Sequence, residues 1–227
     1  MSKPRANKRL TALVLQGGGA LGAYEYGVVK ALYEQPGFKP SVVTGVSIGA
    51  FSAAILAGSK GDPVETLGEM WRRFTLPDSL MVPDQIESYF SLFGNSGMYT
   101  FNPRYLVAPF LATSVYDTTP LRNALEEWID VDKLNTAEMR AIVTAVDVQT
   151  GELHAFDNRN SLTIDHVLAS GSLPPGFPMT KVDDAYYWDG ALVSNTPLSA
   201  ALNAIEQIGE NDAETDILGH ADFPVGV

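Results

Sequence analysis

From residue 11 to residue 58 the chain alternates twice between a short apolar run and a longer segment of helical character, and glycine marks each junction. "TALVLQ" (11–16) runs into Gly17-Gly18-Gly19 and then into "LGAYEYGVVKALYEQPG", where Leu21, Tyr24, Val28, Ala31 and Leu32 recur at helical spacing. Pro36-Gly37 stops that helix, "SVVTG" reads as a second buried strand, and "SIGAFSAAILAG" as a helix whose small residues allow close packing on a sheet. A β-α-β-α opening with right-handed crossovers leaves few architectures. It predicts an α/β fold, a mainly parallel sheet with helices on both faces.

The rest of the chain fits this plan. "DPVETLGEMWRRF" reads as a third helix, and "TPLRNALEEWI" as another with Thr119 as its cap and Pro120 in the first turn. "RAIVTAVDV" and "ELHAFD" are strands joined by a "QTG" hairpin turn. "TIDHVLASGSLPPGFP" opens as a helix and ends in a Pro/Gly corner, and "DDAYYWDGALVSNTP" carries a strand into the Asp189-Gly190 turn. Residues 76 to 118 form an irregular stretch rich in aromatics and prolines. At 227 residues and 45% hydrophobic content, one domain with a substantial core is expected. Its parts are a basic leader without fixed structure at 1–10, the domain proper at 11–198, and a helix with an acidic tail at 199–227.

Composition narrows the chemistry. The chain has no cysteine, which excludes disulfides, thiolate catalysis and Cys-bound zinc. Its histidines, His154, His166 and His220, lie far apart without metal-binding spacing, so no metal and no cofactor is expected. Lys3, Arg5, Lys8 and Arg9 contribute +4 to a net charge of −12, so the remaining chain carries −16. An acidic body argues against nucleic-acid binding. The basic leader offers a footing for transient contact with an anionic membrane surface, although such short tails are more often simply solvated. With no signal-type apolar stretch and no run long enough to span a bilayer, the expected location is the cytoplasm.

"GVSIG" (45–49) places Ser47 between two glycines where the second strand turns into a helix. Glycines on both sides relieve the crowding of so sharp a turn, and the serine oxygen is lifted to a helix N-terminus whose partial positive charge favours an alkoxide. Ser47 is thus a candidate nucleophile. The alternative is a helix cap, a position that also favours serine.

"QGGGALG" (16–22) follows the first strand, and its backbone N–H groups can converge on an anion. Gly17, Gly19 and Gly22 fit the G-x-G-x-x-G pattern of a dinucleotide site, but the second strand ends without the carboxylate that grips a ribose. The other anion is the oxyanion of an acyl-transfer intermediate. Strand-to-helix turns of a parallel sheet emerge on one edge, so this loop and Ser47 can face a common crevice. Asp189, in "YWDG", is either a turn former or the carboxylate that Ser47 lacks. An α/β-hydrolase triad needs a histidine after the acid, and His220 alone lies beyond Asp189, in a polar tail.

These three elements in this order resemble the patatin-like phospholipases. The wording is close over residues 11 to 198: "LVLQGGGALGAYEYGVVKAL", "VTGVSIGAFSAAILAG" and "LASGSLPPGFP" followed by "YYWDGALVSNTPL". The resemblance implies a Ser-Asp dyad, with Ser47 as nucleophile, Asp189 as base, and the amides of Gly17, Gly18, Gly19 and Ala20 as oxyanion hole. It implies hydrolysis of acyl esters in lipids. Leu21 stands where many members carry Arg or Lys, which tilts the expected substrate from charged phospholipids toward simple esters and lysolipids. The ending "ENDAETDILGHADFPVGV" departs from the strand and helix expected of the family. Burial beside Trp188 and Tyr187 is expected to raise the pKa of Asp189 into a useful range for a base, and the aromatic stretch Phe90 to Phe101 to line or cover an apolar acyl site. Two rival readings are an α/β-hydrolase with a Ser-His-Asp triad and a non-catalytic nucleotide- or acyl-binding module.

Overall fold

The computed structural model describes residues 10–75, 95, 97–108, 110–209 and 215–219. Strand β1 (Leu10–Leu15) leads through a glycine turn to α1 (Gly22–Tyr33), and β2 (Val42–Gly45) leads through Ser47 to α2 (Ile48–Gly58). Then follow α3 (Pro63–Phe74), a small ribbon of β3 (Thr100–Phe101) and β4 (Tyr116–Asp117) that encloses α4 (Arg104–Val107), and helices α5 (Thr119–Trp128) and α6 (Val131–Thr136). The hairpin β5 (Arg140–Asp147) and β6 (Leu153–Asp157), α7 (Ile164–Ser170), the pair β7 (Thr180–Val182) and β8 (Ala185–Asp189), α8 (Leu198–Gly209) and β9 (Thr215–Gly219) complete the described chain.

The sheet runs β7-β8-β5-β2-β1-β9, with β6 also paired to β5. Strands β9, β1, β2 and β5 are mutually parallel. The expected α/β architecture is therefore present, with an antiparallel flank. Alternation along the strands feeds two cores. Leu13, Leu15, Val43, Ala141 and Val143 face α2, which is buried along its whole length. Leu10, Ala12, Val14, Val42 and Ile142 face the other way, onto Ala201, Ala204 and Ile205 of α8. The sheet is the middle of three layers.

One detail of register positions everything that follows. The β2 strand pairs with Arg140 to Val143 of β5, and β8 pairs antiparallel with Ala145 to Asp147. Because β6 pairs with Ile142 to Val146 and overlaps both sets, it occupies the opposite edge of β5, so β2 and β8 share one edge. They run toward each other along it. Gly45 sits opposite Val143 and Asp189 opposite Ala145, so the two strands end head to head.

Two expectations need correction. The α5 cap position is Thr118, with Thr119 already the first helical residue. "TDILG" in the expected acidic tail is a strand, β9, paired in parallel with β1; its pairing partner, not its own weak hydrophobicity, decides its state. Leu21, Tyr24 and Val28 do lie on or beside a helix, yet they are 69%, 54% and 41% exposed, whereas Gly22, Glu25 and Val29 are buried. A side chain at Gly22 would press on Ile48 and Trp71 at about 2.9 Å, so the glycine face of α1 is the one that docks.

Candidate active site

Ser47 is the pivot between β2 and α2. Its backbone has φ 56° and ψ −126°, a conformation that L side chains rarely adopt and that costs roughly 1–3 kcal/mol unless the surroundings enforce it. They do so here. The Ser47 amide donates to both the carbonyl and the Oγ of Ser170, each at 3.1 Å, and Ser170 Oγ donates to Thr144 O at 2.7 Å. Cβ atoms on Gly45 or Gly49 would collide with the Gly49 carbonyl and with the Leu15 carbonyl respectively, so both flanking glycines are required by close backbone crossings. Ser47 makes no side-chain cap hydrogen bond, so the cap reading does not describe it. Its side chain is half-buried.

Asp189 ends β8 and is 1% exposed. Its Oδ1 accepts the Ala191 N–H at 2.9 Å, while Oδ2 is buried without a hydrogen-bond partner. Burial pushes its pKa up to about 6, the Ala191 amide and then the Ser47 hydroxyl acting in the opposite direction. The Ser47 hydroxyl is therefore close enough to stabilise the anion, although no hydrogen bond to Oδ2 closes. Catalytic contacts in unliganded sites are often loose in this way. Gly190 must be glycine because a Cβ there would strike the Thr144 carbonyl.

The glycine loop completes the meeting of three turns. A Cβ placed on Gly17 would lie 3.2 Å from Ser47 Cβ and 3.4 Å from Ala191 Cβ, and would collide with Asn195 Oδ1. Asn195 holds Gly17 on both sides: Gly17 N–H donates to Asn195 O at 3.3 Å, and Asn195 Nδ2 donates to Gly17 O at 3.0 Å. Gly18 and Gly19 have φ 156° and 56°, and Gly18, Gly19 and Ala20 are exposed. The rim is apolar, since Leu21 and Tyr24 follow the loop and Leu192 and Val193, 49% and 57% exposed, follow Asp189.

The histidines stand apart. His166 Nδ1 accepts the Thr163 N–H at 3.0 Å in a capping box at the start of α7. His154 sits across β5 from Asp189, both opposite Ala145, which is two interstrand spacings or about 10 Å. Its ring packs against Phe156 and Tyr187. His220 lies outside the described residues. Among the described residues no histidine hydrogen-bonds Ser47 or Asp189, and no group of His, Asp and Glu has the arrangement of a metal site. No helix among them is long and apolar enough to cross a membrane.

Of the aromatic stretch, Phe90 and Phe93 lie outside the described residues. Met98 packs against the main core, and Tyr99 packs with Tyr116 and Phe177 at ring distances of 4.6 and 5.4 Å. That aromatic cluster is tied to the segment after α7, where Val115 and Tyr116 donate to the Pro175 and Gly176 carbonyls.

At the strand ends of this α/β sheet a strained serine, a buried carboxylate and a glycine loop come together. Residues 13–202 match the patatin-like phospholipase family, and the chain belongs to that family. It is 26% identical over 151 residues to a cGAMP-activated phospholipase of Pseudomonas aeruginosa, covering 60% of this chain and 45% of that protein. It is 44% identical over 62 residues to a patatin-like phospholipase domain-containing protein of Neurospora crassa, covering 27% of this chain and 7% of that one. The chain thus spans less than half the length of these relatives. The crystal structure of VipD from Legionella pneumophila superposes over 96% of this chain and 54% of its own, with a TM-score of 0.49 and 17% identity.

Two residues of the site lay outside the sequence reading. Asn195 carries a signal in "SNTP", a polar residue just beyond the Asp189 turn, but its bond to Gly17 is a contact across 178 residues. Glu25 is the other, a carboxylate on the face of α1 that hydropathy assigns to solvent.

Proposed function

We propose that this protein is a serine acyl hydrolase that cleaves carboxylic esters of lipids through a Ser47-Asp189 dyad. The observation that carries the reading is the head-to-head meeting of β2 and β8, which sets the strained Ser47 beside a buried carboxylate with one bare oxygen. Asp189 Oδ2 takes the Ser47 Oγ proton as Oγ attacks the ester carbonyl. The amides of Gly18, Gly19 and Ala20 hold the oxyanion, and Gly17, its own amide engaged by Asn195, anchors the loop. As the tetrahedral intermediate collapses, Asp189 gives the proton to the departing alkoxide oxygen, leaving the acyl group on Ser47. Water then loses a proton to Asp189, attacks the acyl carbonyl, and Ser47 departs with that proton.

The raised pKa of Asp189 supports this role, because a carboxylate held near 6 is a better base than one near 4 and is still ionised at neutral pH. The exposed apolar rim of Leu21, Tyr24, Leu192 and Val193 suits an acyl chain. With no cation at position 21, the reading favours short uncharged esters and lysolipids over anionic diacyl phospholipids.

The test is a panel of p-nitrophenyl esters and phospholipid vesicles, with organophosphonate labelling. Labelling confined to Ser47 and loss of hydrolysis in Ser47→Ala are expected. Hydrolysis that survives Ser47→Ala overturns the reading. Loss of activity in a folded His154→Ala or His166→Ala variant favours a triad instead, and an inert, unlabelled protein favours a binding module.

A further inference from the structure

Helix α1 buries a carboxylate that the reaction above leaves unused. Glu25 is 5% exposed on the inward face that also carries Gly22 and Val29. Its Oε1 accepts the Gln16 N–H at 2.7 Å, and its Oε2 is buried without a hydrogen-bond partner. Gln16 is the residue that joins β1 to Gly17. Its other side is also confined, because a Cβ on Gly49 of α2 would press on the Gln16 carbonyl at 2.7 Å. The Gln16 peptide is gripped between α1 and the first turn of the Ser47 helix.

We propose that Glu25 is a positioning residue of the glycine loop: its carboxylate holds the Gln16 amide and thereby fixes the direction in which Gly17 to Ala20 leave β1 toward Ser47. This rests on the acyl-hydrolase reading of the site. Oxyanion donors act only when aimed within a few tenths of an ångström of the developing charge, and the loop they sit on is exposed from Gly18 to Ala20. Asn195 holds its first glycine from one side. Glu25 holds the residue before it from the other.

A neutral acceptor would satisfy one amide at less desolvation cost. The carboxylate adds strength, since a hydrogen bond to an ionised acceptor is roughly twice as strong as a neutral one. Burial pushes the Glu25 pKa up to about 7, with the Gln16 amide pulling it down. The packed elements β1 and α2 offer no ionisable side chain. Lys30 on α1 and Glu65, Glu69, Arg72 and Arg73 on the neighbouring α3 make no contribution to the shift. The grip therefore tightens as pH rises through about 7.

The experiment compares wild type, Ser47→Ala, Glu25→Gln and Glu25→Met in steady-state hydrolysis of a p-nitrophenyl ester from pH 5 to 9. Glu25→Gln keeps an acceptor for Gln16 and is expected to stay within about 3-fold of wild type at pH 8, whereas Glu25→Met loses about 10- to 100-fold in kcat with KM within about 2-fold. In wild type a shallow fall in kcat, of about 3-fold or less, sets in near pH 7 ahead of the steeper fall on the ionisation of Asp189 near pH 6, and Glu25→Gln shows only the steeper one. A Glu25→Met variant with wild-type kcat, or equal losses in both variants, overturns the positioning role. Should Glu25→Met fail to fold, superimposable pH profiles for wild type and Glu25→Gln overturn it. Activity that survives Ser47→Ala condemns the acyl-hydrolase reading itself, a different result from any of these.

Discussion

Asp189 and Glu25 each rest one carboxylate oxygen on a backbone amide, Ala191 and Gln16, and each leave the other oxygen bare in the interior. Burial raises both, to about 6 and about 7. By titration alone the two are nearly the same group. They differ in what else is near: the Ser47 hydroxyl acts on Asp189 and does not act on Glu25. A displaced pKa marks a strained site for a charge, and only a nucleophile beside it makes that charge a base.

The largest test of this contrast is removal of the base. Asp189→Asn keeps the bond to Ala191 and loses the proton acceptor, so kcat/KM should fall by about 10⁴-fold or more, as for Ser47→Ala, and the double variant should be little worse than either single one. Steady-state hydrolysis of a p-nitrophenyl ester reads all three. An Asp189→Asn variant with activity comparable to Glu25→Gln would erase the distinction between the two carboxylates.

Next in size is Asn195→Ala, which removes the side-chain bond to the Gly17 carbonyl, keeps the backbone bond from the Gly17 N–H, and leaves Ser47 and both carboxylates in place. A loss of about 10-fold in kcat, with a smaller change in KM, is expected from a less well aimed loop. A wild-type kcat there would leave Glu25 as the main restraint on the loop.

Stability should treat the two carboxylates alike. Both have folded-state pKa values above the ordinary ones of 3.8 and 4.5, so each contributes stability at low pH that is lost as pH rises through about 6 for Asp189 and about 7 for Glu25. At pH 8 each ionised group costs up to about 3 kcal/mol relative to a neutral one. Asp189→Asn and Glu25→Gln should therefore both raise Tm by several degrees at pH 8 and by clearly less at pH 4.5, where only about a third or less of that cost is present, as thermal melts at the two pH values will read. One becomes more stable and inert, the other more stable and active. A fall in Tm at pH 8 for either would mean that its anion is better solvated than its burial implies.

The smallest effect is expected from the histidines. His154→Ala and His166→Ala should hold kcat within about 3-fold of wild type in the same assay, since one ring packs across β5 from Asp189 and the other caps α7.

Legibility from sequence followed the range of the interaction. Ser47 and its two glycines are a local device, so five residues announced the turn that the structure realises with φ 56°. The β-α-β-α opening, the helices α3 and α5 and the β5–β6 hairpin were equally readable, because each carried its own period or turn signal, whereas the short β3, β4, α6 and β7 carried none. Asp189 needed a resemblance, since an Asp-Gly pair alone says only "turn" and its partner lies 142 positions away. Glu25 was invisible for a clear reason. Leu21, Tyr24 and Val28 form an apolar face at helical spacing, but the absence of a side chain at Gly22 lets the opposite face approach Ile48 and Trp71. A missing Cβ outweighed three apolar side chains. For β9 the deciding partner, β1, is some 200 residues away, beyond the reach of any local pattern.

The pairing order has one more consequence. Each of the three turns leaves a strand flanked on both sides: β1 between β9 and β2, β2 between β1 and β5, and β8 between β5 and β7. None hangs from a sheet edge that could fray by itself. Segments released by small local openings are those with few buried contacts, whereas central strands open only with the whole cooperative unit. Heating should thus spare the machinery until the sheet itself gives way, and the midpoint of inactivation should coincide with the midpoint of global melting rather than precede it.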